Sequence, residues 1–178
     1  PSDLTVAELQ SQVNNSMAEW EALDIVPTER LPMDTESWTH GNTPAQYGAR
    51  SFRDLFSPRQ FLVHATAVEI FRAVLDERRK DGALSETERA AYCYLSFSLD
   101  RLLDYNSVCS CWYSLREVIA HTFTEHHFAF KWTYSEMVPV VEGLGYDWAI
   151  KQTADCIDEL VEMSRPLDAQ STERGELD

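Results

Sequence analysis

The chain has 178 residues, of which 44% are hydrophobic, and its 30 Asp and Glu against 15 Lys and Arg give a formal net charge of −15. This length predicts one domain with a core of its own. Its six glycines do not stand at the spacing of a phosphate-binding loop, which excludes the common nucleotide fingerprints. No apolar run approaches the roughly 18 residues that cross a bilayer, and the first residues do not form a signal peptide. We therefore expect a cytoplasmic protein without a membrane partner.

The charge is distributed unevenly along the chain. Residues 1–45 carry eight acidic residues and one arginine, and residues 136–178 carry eleven acidic and three basic residues. Residues 46–135 carry eleven of each, so we expect any surface that meets an anion in this neutral centre. An acid-rich, lysine-poor chain is typical of a salt-loving host, where salt screens the self-repulsion. The alternative is an ordinary acidic domain that avoids nucleic acid.

Apolar spacing predicts a mainly α-helical fold, with about five helices in bundle-like or orthogonal packing. In residues 1–24 apolar side chains recur every three or four positions, which predicts an amphipathic N-terminal helix capped by Ser2 or Asp3. Residues 25–56 hold three prolines and a Gly-Asn pair. These breakers predict a long extended loop along the surface.

Residues 57–164 form the predicted helical core domain. Ser57-Pro58 predicts the start of a helix that ends near Gly82. The capping box at residues 85–88 predicts the start of the next helix, which runs to about Tyr105. We expect these two helices to pack as a hairpin.

The rest of the core domain is predicted to contain two more helices and one strand-like segment. A second capping box at residues 114–117 predicts a helix that runs towards His126. Aromatic residues then alternate over residues 128–134, which predicts a short extended aromatic segment. The last helix is expected to open near Asp147. The polar residues 165–178 are expected to be a disordered tail or linker.

The apolar stripes of these helices also predict which side chains the core buries. They include Ala91 and Tyr94 on the third helix, and Leu160 and Val161 on the last. The four cysteines do not stand at zinc-site spacing, so we expect free, mostly buried thiols.

Side chains that donate hydrogen bonds and side chains that stack are dense in the neutral centre. Arg101, Asn106 and Arg116 could bind phosphate or base edges. Trp112, Tyr113 or Trp132 could stack against an unpaired base. This pattern suits a nucleic-acid contact, although spacing alone favours the structural interpretation that follows.

A structural interpretation of the same residues is equally natural. Arg101 would then pair with Asp100 or Asp104, Asn106 would cap a helix end, and Trp112 would fill the core. Arg59 and Gln60 leave the same choice open. They stand at a helix N-terminus, which attracts anions, yet an arginine in a first turn often pairs with an acid.

Few residues support enzyme chemistry in this chain. There is no nucleophile elbow, no helical His-Glu metalloprotease signature and no Asp-Pro-Pro-aromatic motif. One metal alternative stays open: Glu117, His121 and Glu125 would share a face of the predicted fourth helix, opposite Asp100 and Asp104. The paired Glu-x-x-His motifs of di-iron bundles are absent, which favours a solvated acidic face.

Several motifs in the same order resemble the large adenine-specific DNA methylases of bacteria and archaea. In that family the corresponding stretch lies between the glycine-bearing cofactor motif and the Asp-Pro-Pro-Tyr motif, and this chain contains neither. Because the sequence also lacks an initiator methionine, we expect a segment of a longer enzyme. The motifs that carry the resemblance are Tyr47-Gly48, residues 54–60, residues 99–107, Trp112, residues 114–117, Thr122-Phe123 and residues 132–136.

The resemblance implies a non-catalytic helical insert that helps the parent enzyme to hold DNA or the extruded target base. The parent would bind S-adenosylmethionine and act in restriction-modification or phage defence, whereas this segment would bind no cofactor. Its partners would be DNA and the parent's catalytic domain. The alternative is an interaction or scaffolding module that packs on that domain without touching DNA. No catalytic or metal-binding residue is predicted; the predicted DNA-binding residues are Arg59, Gln60, Arg101, Asn106, Trp112, Arg116, Lys131 and Trp132.

Overall fold

The computed structural model describes residues 5–31, 47–120, 122–123 and 134–165. These residues are mainly α-helical, which confirms the predicted fold class, but they form four α-helices rather than about five. One two-stranded antiparallel sheet accompanies the helices. In chain order the elements are α1 (Val6–Ala22), a 3-10 turn (Phe52–Leu55), α2 (Pro58–Lys80), α3 (Glu86–Asp104), β1 (Cys111–Tyr113), β2 (Val118–Ala120) and α4 (Tyr146–Ser164).

Three helices begin at capping boxes. In each box the side chain of the N-cap residue accepts from a backbone N–H in the first turn, and a side chain of that turn accepts from the backbone N–H of the N-cap residue. Ser57 caps α2 together with Gln60, and Ser85 caps α3 together with Glu88, as the sequence predicts. The prediction that Ser2 or Asp3 caps α1 is wrong. Thr5 is the cap, because its hydroxyl accepts from the backbone N–H of Glu8 while the Glu8 carboxylate accepts from the backbone N–H of Thr5 at 2.7 Å.

α1 packs against α2 and supplies one side of the main core. The Trp20 indole lies 6.0 Å from the Phe61 ring, measured between centroids, and its N–H donates to Glu69 at 3.3 Å. The Arg72 guanidinium donates to the backbone carbonyls of Leu23 and Asp24 just beyond α1. α1 is therefore joined to α2 along the helix and at its C-terminal end. The buried core cluster comprises Val13, Trp20, Ile25, Val26, Phe61 and Ala65.

α2 and α3 pack as the predicted hairpin. Phe71 of α2 and Tyr92 of α3 make an edge contact at 6.2 Å between ring centroids. Nearer the connecting loop, Arg78 donates two hydrogen bonds to the Glu88 carboxylate, at 2.7 and 2.9 Å. Arg78 and the Ser85 cap together hold the pKa of Glu88 down at about 2.

The predicted fourth helix is wrong: residues 114–117 form the turn of a β-hairpin. Trp112 of β1 lies opposite Ile119 of β2 in the register, and Glu117 has a φ of +53°, which an α-helix does not allow. The aromatic and β-branched residues on both sides of the turn favour strand pairing, which overrides the local capping pattern. Residues 128–133 of the predicted extended segment and residues 166–178 of the predicted tail lie outside the described residues.

α4 packs antiparallel on α3. The Ser98 hydroxyl of α3 donates to Thr153 of α4 at 3.0 Å, and Tyr105 lies edge-on to Trp148 at 5.3 Å. The C-terminal end of α3 thus contacts the N-terminal end of α4. The C-terminal half of α4 consequently lies beside the N-terminal half of α3.

The four cysteines are free, but the prediction that they are mostly buried is wrong. Cys93 and Cys156 are exposed, because they lie on the outer faces of α3 and α4. Within the described ranges no three His, Cys, Asp or Glu residues are grouped to hold a metal ion. In the same ranges no helix combines the length and apolar character that crossing a bilayer requires.

Candidate functional site

A buried polar cluster joins α2, the end of α3 and the start of α4. We call Gln60, His64, Asn106 and Tyr146 the junction cluster. Gln60 and Asn106 are each only 2% exposed, and the Gln60 amide donates to the Asn106 side-chain oxygen at 3.5 Å. The His64 ring bridges the Asn106 backbone oxygen at 3.2 Å and the Tyr146 hydroxyl at 3.0 Å. Four residues distant in sequence thus satisfy one another away from solvent.

The surroundings of His64 fix its protonation state. A carbonyl can only accept, so the nitrogen facing Asn106, Nε2, must carry the proton, and Nδ1 then accepts from Tyr146. Burial lowers the pKa of His64 to about 4, and burial also raises the pKa of Tyr146. Both ring nitrogens of a neutral His64 are therefore occupied within the fold, which suits a structural tie rather than a catalytic base.

Gln60 and Asn106 were predicted to contact DNA, but in this structure their amides lie inside the junction cluster. Gln60 also accepts from the backbone N–H of Ser57 at 2.9 Å, as part of the cap of α2. The structure therefore places both amides where they stabilise the joint between helices. DNA cannot reach them without opening this joint.

Replacement of Asn106 by alanine is expected to lower the free energy of unfolding by about 1–3 kcal/mol, because the buried Gln60 amide would lose its acceptor. Urea unfolding followed by circular dichroism measures this change. Asn14→Ala is the matched control: Asn14 bonds to Gln10 on an exposed surface, so we expect a change within about 0.5 kcal/mol. Equal effects at the two positions would contradict the structural role of Asn106.

The N-terminus of α2, where Arg59 was predicted to meet an anion, already holds a carboxylate of this chain. Glu136 forms an ion pair with Arg59 and accepts from the Ser57 hydroxyl at 3.3 Å. The partner stands 77 residues away from Arg59 in the sequence. A phosphate at this helix end would have to displace Glu136.

Arg101 packs on aromatic rings rather than on the acids that were considered as its partners. Its guanidinium lies 5.1 Å from the Tyr105 ring centroid and 5.7 Å from that of Trp148. It also donates to the Gln152 amide at 3.5 Å. Asp104 instead accepts from a backbone N–H at 3.1 Å. Arg101 is exposed, so its remaining N–H groups face solvent.

Two predicted DNA-binding residues come together on the β-hairpin. Trp112 is 57% exposed on β1, and Arg116 is exposed in the turn beside Leu115. Among the described residues no carboxylate forms an ion pair with Arg116. The hairpin thus presents one ring and one cation outward. Lys131 and Trp132, the other two predicted residues of this region, lie outside the described residues.

Most other basic side chains of the described residues bond within the fold, which leaves little free positive charge for a continuous basic face. Arg78 bonds to Glu88 along α2–α3, and Arg72 bonds to backbone carbonyls. Such pairing cancels the local charge that would attract phosphates. Further ion pairs of this kind are Arg53–Glu21, Arg79–Asp76, Lys80–Glu77 and Lys151–Asp155.

A large exposed apolar surface lies at the far end of the α3–α4 pair. We call its members, Tyr94, Phe97, Leu160, Val161 and Met163, the distal apolar end. Leu160 is 58% exposed and Met163 is 77% exposed. The antiparallel packing brings the N-terminal half of α3, with Tyr94, and the C-terminal half of α4 to this same end, and Phe97 lies beside Tyr94 near the middle of α3.

The distal apolar end corrects the predicted core. Ala91, Tyr94, Leu160 and Val161 were expected to be buried, and all four are exposed. Of the 19 residues of α4, only Ala149 is buried. The apolar stripes are present as the sequence predicts, but the main core forms against α1 at the other side of α2, so these stripes are left uncovered by the described residues.

A groove of about 620 Å³ lies between α1 and the segment around the 3-10 turn. Its floor includes Val13, Phe56 and Phe61, and Gln10 and Asn14 at its rim bond to each other at 2.9 Å. The charged residues of its lining are engaged within the fold: Asp54 accepts from the backbone N–H groups of Arg50 and Ser51, and Arg53 pairs with Glu21. The groove therefore offers contact area rather than a catalytic pair.

The functional residues that sequence reasoning missed are His64, Glu136 and Tyr146. His64 carried a weak signal, because it lies next to Phe61 and Ala65 on the apolar face of α2. Nothing in the local sequence of Glu136 or Tyr146 pointed to a partner on α2.

No protein family, curated protein or solved structure matches this chain. The resemblance to adenine-specific DNA methylases therefore remains a prediction from the residues.

Proposed function

We propose that this chain is a non-catalytic helical module that packs on the catalytic domain of an adenine-specific DNA methyltransferase. The distal apolar end carries this proposal. It places two aromatic and three aliphatic side chains in solvent at one end of a helix pair, including Phe97, Leu160 and Met163. Large apolar side chains exposed at one part of a surface are typical of a protein interface.

The identity of the partner comes from the resemblance. The S-adenosylmethionine site and the Asp-Pro-Pro-Tyr loop of such an enzyme would belong to the partner domain, since this chain contains neither motif. Four free cysteines and the expected association with DNA chemistry favour a cytoplasmic location. The role of the module would be to hold or close the enzyme around its substrate.

Mixing this chain with the parent's catalytic domain, supplied as a separate chain, tests the proposal. We expect a stoichiometric complex by size-exclusion chromatography and calorimetry, with a negative heat-capacity change because apolar surface is buried. The contrary result is a catalytic domain that elutes separately at every concentration while both chains are folded.

A second candidate function is direct DNA contact through the β-hairpin. The exposed Trp112 ring could stack on an unpaired base while Arg116 bonds a phosphate. The stacked Arg101 could add a second phosphate contact. The net charge of −15 and the internal pairing of other basic residues oppose this function.

We expect the isolated chain to bind short duplex and single-stranded DNA more weakly than the nonspecific range of about 10⁻⁴ to 10⁻⁶ M. Fluorescence anisotropy over about 0.1 to 2 M salt measures this, with circular dichroism at each point to verify folding. Tighter binding that falls with salt and is lost in Arg116→Ala would favour the second function. Arg79→Ala is the matched control, because Arg79 is exposed and pairs with Asp76.

A further inference from the structure

We propose that the distal apolar end is a docking surface for a basic amphipathic helix of the partner domain. This inference rests on the proposed function and adds the chemistry of the partner. Two observations support it: an apolar stripe near the C-terminal end of α4, and acidic side chains beside that stripe.

The stripe has the spacing by which one helix recognises another. Ile157, Leu160 and Val161 stand at positions i, i+3 and i+4 of α4, on one helical face. Leu160 and Val161 are exposed in the last two turns of α4, which span about 11 Å, whereas Thr153 on the same face contacts α3. One or two turns of a partner helix could therefore contact this part of α4.

Aromatic side chains of α3 extend the surface at the same end. Tyr94 and Phe97 make an edge contact at 5.9 Å between ring centroids, and both rings are exposed. Rigid aromatic rings beside an aliphatic stripe provide the kind of anchor that dominates binding energy at interfaces.

The charge beside the stripe selects the partner. Asp158 and Glu159 are exposed on the same turns of α4 as the apolar residues. Residues 134–165 contain seven acidic residues against Lys151 and Arg165, and Lys151 bonds to Asp155 at 2.8 and 2.9 Å. A second copy of the chain would bring the same negative charge to the interface. Lysine or arginine around an aliphatic stripe would complement it.

Two designed peptides of about 18 residues, long enough to form a helix, test the inference. Both carry the same leucine stripe; lysine occupies the polar face of one and glutamate that of the other. Calorimetry with the full chain at about 0.15 M salt compares them. We expect the lysine peptide to bind and the glutamate peptide to bind at least about tenfold more weakly.

Variants show whether the peptide occupies this surface. The double variant Leu160→Ser, Met163→Ser should weaken binding of the lysine peptide at least about tenfold. Asp158→Asn with Glu159→Gln should weaken it less and reduce its salt dependence. The matched control is Leu115→Ser with Val140→Ser, because these two aliphatic side chains are more exposed than Leu160 and Met163 and lie elsewhere. The control should bind as the unchanged chain does.

Three results would overturn the inference. Equal binding of the two peptides would remove the charge preference. If the lysine peptide still bound after Leu160 and Met163 were replaced, it would be attracted by the overall negative charge of the chain and not by this surface. If analytical ultracentrifugation showed a dimer, and the same two replacements dissociated it, the surface would be the interface with a second copy of the chain. These results leave the complex with the catalytic domain to be measured separately, so failure of the inference is distinct from failure of the proposed function.

Discussion

Replacing Trp20 with alanine is expected to lower the free energy of unfolding by about 3–5 kcal/mol. Trp20 is 3% exposed and packs on Phe61 in the main core, and its indole N–H donates to Glu69. Alanine would leave a cavity between α1 and α2 and would remove the hydrogen bond to Glu69. Because domains of this kind are stable by about 5–15 kcal/mol, the change removes a large share of the total.

Urea unfolding followed by circular dichroism at helical wavelengths measures the Trp20→Ala effect without depending on tryptophan fluorescence. Trp112→Ala is the matched control, because Trp112 is largely exposed on the hairpin and its removal should cost within about 0.5 kcal/mol. If both variants unfolded at the same urea concentration as the unchanged chain, α1 would not be part of the core. The N-terminal helix would then be an independent arm.

Local sequence signals predicted α2 and α3 well, because their ends depend on neighbours in the chain. Ser57 with Pro58, and Ser85 with Glu88, act within a single turn of helix. The same kind of signal failed at Ser114. A serine followed three residues later by a glutamate also suits a turn, and here the flanking residues pair as strands.

The candidate site could be predicted only in part, because its decisive partners come from distant parts of the chain. Gln60 and Asn106 were identified as polar residues of interest, but their burial depends on how α2 meets the end of α3. Arg59 was expected to meet an anion or an acid, and the acid is Glu136, far along the sequence. Spacing identifies candidate side chains, whereas tertiary packing decides which of them face solvent.

The exposed apolar faces of α3 and α4 illustrate the opposite case. Their amphipathic pattern correctly predicts helices, and it also predicts that one face of each is covered. The described residues leave Phe97, Leu160 and Met163 uncovered, so the expected burial and the observed exposure disagree. A partner that covers this end would reconcile the sequence pattern with the structure.

Lowering the pH from 6.5 to 4.5 is expected to destabilise the chain by about 2–3 kcal/mol through His64 alone. Burial lowers the pKa of His64 from its ordinary 6.5 to about 4. The unfolded chain therefore binds a proton in this range that the folded chain does not, and stability falls as the pH falls below 6.5. About one pH unit above 6.5 and higher, His64 is neutral in both states, so it contributes no pH dependence there.

His64→Gln separates this effect from the titration of other groups. Glutamine does not titrate in this range. Between pH 6.5 and 4.5 the unfolding free energy of the variant should therefore change by about 2–3 kcal/mol less than that of the unchanged chain. The carboxylates make their contribution mostly at lower pH, as the pKa of Glu88 at about 2 illustrates. Parallel pH profiles of the two proteins would mean that His64 is accessible to solvent. The junction cluster would then not be the closed joint between α2, α3 and α4 that its hydrogen bonds describe.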